Sequence, residues 1–495
     1  MRKYFFLVVV FLVFCFASNA QKFTVTNNQS VMIGKSGKLV NFMVAKSGKL
    51  VNTEKKQNDY IGFDGTFHYF IVDEKTLLKA DESLKNITSI KLDNKFESEF
   101  LTNFYSEGIA GLLSVRHNKN DFVIEKMTVD SKGLNESTLL TVSGSEGDYY
   151  DADFASSPDK KIKMIALTIV SWKDEYKSTF IFVVDNQGDV LWSENFSPDF
   201  NDKKFYFSDM CVDNDGSVYV LATSYTEKVK KCNLHLFKLN KKEDIEGRES
   251  FPFEFNRIGS TKLLVLSNGN IFAGGYYTET EYYNYHNSAT KLGTFSYVFD
   301  GQTLEKLKYK TKTLEGNLPK SVTLKQAYSD DMIKYVKGIF ETTDQKITMI
   351  AEEKGGGYSK NIYIQSFDLD GNYQNSDILY KKQFLYNVSN WHSFDVLVNG
   401  DELILLYNDN SKNNIFSNTP NVKDFKSFAY KSGQTVACVV KNGIVGKKQI
   451  VIDAKAEQRI YFSLAEQFDN KEAIVRVQTG MAGTGPITLE TIGWQ

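Results

Sequence analysis

Short runs of apolar and aromatic residues recur along this chain, punctuated by polar turns. The clearest instance lies between Phe205 and Phe253. Phe205 to Val212 leads into the turn Asp213-Asn214-Asp215-Gly216 and then into Ser217 to Ser224. β-Branched and aromatic residues on both sides of an Asp-Gly pair predict a hairpin. A second hairpin runs from Asn233 to Leu239, turns through polar residues ending at Gly247, and returns over Glu249 to Phe253. The two form an antiparallel meander of four strands in roughly 45 residues, the size of one repeated sheet.

The same unit is legible elsewhere. Before the central one it is carried by Asn41–Ala45 and Lys49–Asn52 with His68–Val72 and Thr76–Lys79, by Gly108–Val115 with Asp121–Val129, and by Ile162–Val170 with Thr179–Val184 and Asp189–Trp192. After it come Lys262–Leu266 and Asn270–Gly275 with Thr294–Phe299, then Ile347–Ala351 with Ile362–Phe367, then Phe394–Val398 and Glu402–Tyr407 with Gln434–Val440 and Gln449–Ile452. Three final strands, Ile460–Leu464, Glu472–Val477 and Pro486–Ile492, lack a fourth, and Phe23–Thr26 near the start has a strand to spare. A ring of sheets completes its last member this way.

The expectation is an all-β chain folded as a single β-propeller of four-stranded antiparallel blades, closed by N- and C-terminal strands. Eight blades are expected, with seven as the alternative if the hairpin at 41–52 is an N-terminal extension. In Val218-Tyr-Val-Leu-Ala222 and Leu403-Ile-Leu-Leu-Tyr407 both faces of the strand are apolar, as a sheet packed between two others requires. Two stretches read as short helices instead, Lys95–Phe104 and Asp331–Ile339, where apolar residues fall at helical spacing. Ser411–Lys426 reads as a long loop.

Val212-Asp-Asn-Asp-Gly-Ser-Val-Tyr-Val220 resembles the repeats of secreted bacterial β-propellers. Val184-Asp-Asn-Gln-Gly-Asp-Val-Leu-Trp192 is similar to a single quinoprotein-type repeat, although the other units lack the tryptophan. The resemblance implies a propeller, and the missing tryptophans argue against a bound quinone.

The N-terminus predicts export. Arg2 and Lys3 precede the apolar run Tyr4–Phe16, and Ser18-Asn19-Ala20 places small residues at a cleavage site, so residues 1–20 read as a signal peptide and 21–495 as the propeller domain. No later run reaches the roughly 20 apolar residues of a membrane span. The expected location is periplasmic or extracellular. With 59 basic and 61 acidic residues the chain is near neutral, which argues against a nucleic-acid partner. Beyond the leader it has Cys211, Cys232 and Cys438; one strand lies between the first two, which puts them roughly 9 to 10 Å apart, beyond the ~7 Å a disulfide spans. Three buried free thiols are expected.

Candidate chemistry is sparse. Gly34-Lys35-Ser36 lacks the earlier glycine of a phosphate loop. Asp213-Asn-Asp-Gly216, Asp368-Leu-Asp-Gly371 and Asp148 with Asp151 and Asp153 supply too few oxygens for calcium and are explained as turn residues. The histidines His68, His117, His235, His286 and His392 share no metal-ligand spacing, and His235 reads as a satisfied core residue. No Gly-x-Ser-x-Gly elbow is present. No catalytic residue is assigned, and neither a metal nor a cofactor is expected.

The unusual feature is the insertion Tyr276 to His286, with five tyrosines. Tyrosine presents a large contact area at low entropic cost. Tyr282, Tyr283, Tyr285 and His286, with Trp391 and His392 at the entry to the seventh unit, are the candidate ligand-binding residues. The expectation is a non-enzymatic binding or scaffold protein engaging a protein or glycan through loops at one end of the ring. The competing class is a glycan-acting hydrolase or lyase with carboxylates at the channel mouth.

Overall fold

A computed structural model describes residues 24–25 and, apart from several connections, 59–493. Among the described residues every regular element is a β-strand, and no helix is long and apolar enough to cross a membrane. Seven blades follow one another along the chain, at 59–91, 99–143, 149–196, 204–252, 257–313, 333–379 and 394–452. A further sheet joins the two ends of the chain: Gln458–Gln467, Glu472–Thr479 and Ile487–Gly493 take Thr24–Val25 as their fourth strand, pairing Thr24 with Gly493 and Val25 with Ile492. This is the closure by terminal strands that the leftover strands predict. The seven consecutive blades match the alternative count; the first begins at Asp59, and the hairpin expected at 41–52 lies outside the described residues.

Within each blade the strands run in chain order from the inside of the ring outwards. First strands of successive blades lie side by side around the axis, as Lys204–Val212 does with Arg257–Val265, and that strand with Ile333–Glu341. The core therefore sits between blades. On the second strand of the fourth blade, Val218, Val220 and Ala222 pack with Met164, Ile181 and Phe196 of the third blade. The intervening Tyr219 and Leu221 pack with Ile258, Ile271 and Phe299 of the fifth. Alternating side chains thus serve two different apolar layers, which is why neither face could be polar.

The two stretches read as helices are innermost strands, Glu99–Ser106 and Ile333–Glu341. Each carries a bulge, with the register shifting between Phe100 and Thr102 and between Val336 and Gly338. One inserted residue converts a two-residue apolar spacing into three, as between the buried Val336 and Ile339, and so imitates a helix. Similar bulges fall between Tyr60 and Gly62, Phe207 and Asp209, and Ile258 and Ser260 in other first strands.

In the third, fifth, sixth and seventh blades the turn between third and fourth strands sits on the preceding blade. Tyr219 of the fourth blade donates to the Gly301 carbonyl of the fifth at 2.7 Å, Ser296 of the fifth to Gly371 of the sixth at 2.8 Å, and Ser366 of the sixth to Asn442 of the seventh at 3.2 Å. The aspartates that open such turns bind their own backbone: Asp185 accepts from the amides of Gln187 and Asp189, and Asp213, in a first-to-second-strand turn, from those of Asp215 and Ser217. Asp148 accepts from the Ser145 amide, while Asp151 and Asp153 lie on the strand Tyr149–Ser156. Cys211, Cys232 and Cys438 are free and buried, as expected.

Two glycines separate backbone strain from this docking. Gly188 and Gly269 both adopt left-handed backbone, φ 79° and 85°; a Cβ at Gly188 would lie 2.6 Å from the Phe104 ring of the preceding blade, whereas one at Gly269 would meet nothing within 4 Å. Gly269→Ala should cost about 1 kcal/mol. Gly188→Ala should cost roughly 1–3 kcal/mol more from overpacking. Urea denaturation of both variants checks this, and equal costs would contradict the docking account.

Candidate functional site

The first strands bring their C-terminal halves together around a hollow of about 680 Å³ at one mouth of the central channel. Its wall comes from five consecutive blades, the third to the seventh, and includes Phe154, Asp209, Lys262, Lys337, Glu341 and Val398. The size suits a small organic ligand or one side chain of a larger partner. Much of the wall is aliphatic, with Met210, Leu263, Val265 and Ile339 contributing to it.

The charged residues of the wall are engaged with protein groups. Asp209 accepts from Lys262 Nζ and from the Leu263 amide, both at 2.6 Å across the blade boundary. The bulge before Asp209 sets which side of the strand that carboxylate leaves from. Burial pushes the Asp209 carboxyl above its ordinary range against the pull of Lys262, and Asp153 of the third blade adds to the rise. Glu341 accepts from the Ser267 amide at 2.7 Å and from its hydroxyl at 2.5 Å. Lys337 Nζ lies 3.8 Å from Asp395, and its side chain stays 42% exposed.

At the other end of the ring lies a buried polar cluster. Gln383–Phe384 pairs with the third strand of the sixth blade at Tyr358 and Ser359, and runs parallel to Phe425–Lys426 from the seventh. Beneath this strap Lys381 Nζ donates to Glu352 at 2.5 Å, to Ser359 at 2.6 Å and to Gln383 at 2.9 Å. Ser393, at φ 96°, donates its hydroxyl to the second oxygen of Glu352 at 2.9 Å, and Lys354 lies 3.1 Å from that oxygen. Burial alone would raise the Glu352 carboxyl, but Lys381, Lys354 and the hydrogen bonds from Lys381 and Ser359 outweigh it and hold it at about 2. Lys381 and Glu352 are all but sealed from solvent, at 1% and 2% exposure, while the Lys354 side chain keeps 42% of its surface, and the arrangement fixes the junction of two blades.

Tyr282, Tyr283, Tyr285, His286, Trp391 and His392 lie outside the described residues. Tyr276 and Tyr277, which open the same insertion, belong to the strand Ile271–Thr278 and are core residues at 1% and 2% exposure. His235 is a core residue satisfied on both ring nitrogens, by Ser224 and Ser250 at 2.8 Å each. Among the described residues no cluster of His, Cys, Asp and Glu could hold a metal ion. Neither the channel residues nor the Glu352 cluster was picked out in the sequence. The available signal was a charge inside an otherwise apolar strand, as in Phe207-Ser-Asp-Met-Cys211.

No family model matches the chain, and no curated protein matches it. Solved structures share the propeller fold at low similarity. The β-propeller domain of the Trilobed protease from Pyrococcus furiosus is 10% identical with a TM-score of 0.36, covering 79% of this chain and 93% of that one. Polysaccharide lyase Uly1 is 7% identical with a TM-score of 0.38, covering 96% and 99%. Prolyl oligopeptidase B from Galerina marginata is 7% identical with a TM-score of 0.36, covering 83% and 53%. At these values the likeness concerns the fold and carries no statement about activity.

Removing one partner of the buried pair should be costly. Lys381→Met leaves the buried Glu352 charge with only the half-exposed Lys354 as a cation beside it and should destabilise by about 3–5 kcal/mol at neutral pH. Adding Glu352→Gln should recover part of that. The wild-type carboxyl titrates lower folded than unfolded, so its contribution is present above its ordinary value near 4.5 and is lost as the pH falls towards about 2. The Lys381→Met deficit should therefore shrink on acidification. Denaturant titrations at neutral and acidic pH measure it, and a deficit below about 1 kcal/mol would contradict a buried ionised pair.

Proposed function

We propose that this chain is an exported, non-enzymatic β-propeller that binds a protein or glycan partner through loops at one end of its ring. The observation that supports the reading is an asymmetry between the two ends. Where first strands pass to second, and third to fourth, most described turns are tight and bind their own backbone, as at Asp185 and Asp213. At the opposite end the described strands of the fifth to seventh blades stop and resume across longer stretches of sequence, 279–291, 314–332, 380–393 and 411–432. Long loops on a rigid scaffold are where binding residues concentrate. Tyr282, Tyr283, Tyr285 and His286 belong to the first of these connections and Trp391 and His392 to the third.

The engaged charges of the channel wall favour binding over acid–base chemistry. The observation on the other side is the raised carboxyl of Asp209 with Asp153 beside it, which is the kind of pair a glycan-acting hydrolase or lyase would use. One experiment separates the readings. The chain lacking residues 1–20 is used to capture partners from a cell-envelope extract and from a glycan array, beside a variant with Tyr282, Tyr283, Tyr285 and Trp391 replaced by Ala. Capture by the parent and loss in the variant, at unchanged melting temperature, is the expected result. Equal capture by both would overturn the loop assignment, and cleaved glycan that disappears with Asp209→Asn would favour the enzyme.

A further inference from the structure

The outermost strand of the fifth blade, Lys306–Thr313, reads Lys-Leu-Lys-Tyr-Lys-Thr-Lys-Thr. Its register against the third strand pairs Lys308 with Val298, Lys310 with Ser296 and Lys312 with Thr294. Paired residues share a face, and on that face Val298 and Ser296 lie against Gly371 of the sixth blade. Three ammonium groups therefore line the rim between fifth and sixth blades, about 7 Å apart per step. Among the described residues none of the three has a carboxylate partner; Asp368, in the adjoining turn, is engaged by Asn372 and Gln374.

Lysine on an outer strand commonly serves to block edge-to-edge pairing. Every outer strand shares that need, yet Val190–Phe196, Gly247–Pro252 and Tyr373–Leu379 contain no lysine, and Ile444–Ile452 has only the adjacent Lys447 and Lys448, which point to opposite faces. Edge protection does not explain a ladder confined to one blade.

Beneath the ladder is a hollow of about 240 Å³ whose wall includes Thr294, Ser296, Lys310, Lys312, Asn372 and Tyr373. It is smaller than a site for a drug-sized ligand and suits a single ring-sized group. Lys312 Nζ stands 3.2 Å from the centre of the Tyr373 ring, and burial pulls its ammonium below the ordinary lysine range. A partly desolvated cation beside hydroxyls, an amide and an aromatic ring is the chemistry that holds a sugar bearing a carboxylate.

We propose that this rim binds an acidic polysaccharide, with Lys308, Lys310 and Lys312 pairing carboxylates along the polymer and one sugar ring seated beside Tyr373. The surface is separate from the channel. Nucleic acid would also satisfy the charges, but the near-neutral balance of the whole chain argues against it.

The test measures binding of polygalacturonate by the chain lacking residues 1–20 at low and physiological salt, with neutral dextran and oligodeoxythymidylate as comparison polymers. Lys308→Gln/Lys310→Gln/Lys312→Gln should weaken polygalacturonate binding about tenfold, the sum of three partly exposed charge pairs. A control triple at other exposed lysines, Lys160→Gln/Lys412→Gln/Lys447→Gln, should leave it within about twofold. Both triples should melt with the parent, since none of these lysines is in the core. Absence of polygalacturonate binding at low salt, equal weakening by the two triples, or tighter binding of oligodeoxythymidylate would each overturn the proposal.

Discussion

The contact on which this ring depends is the seating of third-to-fourth-strand turns on the preceding blade. A blade that buries both faces has no solvated side, so its position is set by its neighbours and by the few directional contacts between them. The turn carbonyls of Gly301, Gly371 and Asn442 supply those contacts, each accepting a hydroxyl from the preceding blade. Apolar layers give the energy but are non-directional. The hydrogen bonds fix the rotation from blade to blade, and that rotation makes the first strands converge on a common axis. The channel follows from the turns.

Much of this was legible in the chain because the turns announce themselves. Asp213-Asn-Asp-Gly216 specifies a hairpin locally, and the flanking Val218-Tyr-Val-Leu-Ala222 shows two apolar faces, which a sandwich with one wet face would not tolerate. The spare strands at both ends implied closure, and Thr24–Val25 does pair with the last strand. The innermost strands were harder to read, because a bulge shifts the alternation by one residue and Val336 and Ile339 then fall at a helical interval. The channel charges were illegible for another reason. Asp209 and Lys262 are 53 positions apart and meet only because consecutive first strands lie side by side. Nothing local distinguishes them from the many other acidic and basic residues.

The cluster around Glu352 shows a different use of polarity. Its members come from two strands of the sixth blade and from the connection to the seventh, and replacing such a set by apolar residues of similar volume often costs little stability. An apolar surface would, however, accept the strap Gln383–Phe384 in several registers. Lys381 and Gln383 accept only one, because their partners Glu352, Ser359 and the Asn408 carbonyl are fixed in place. The cluster thus determines where the chain crosses from one blade to the next.

Blades in this ring stabilise one another and have little independent existence. Equilibrium unfolding in urea, followed by far-UV circular dichroism for the strands and by near-UV circular dichroism for the aromatic layers between blades, tests this most directly. A ring held by mutual docking should give coincident transitions, and Gly188→Ala should move both together. Separate midpoints, with the aromatic signal lost while strand signal persists, would show that blades stand on their own and would contradict the account.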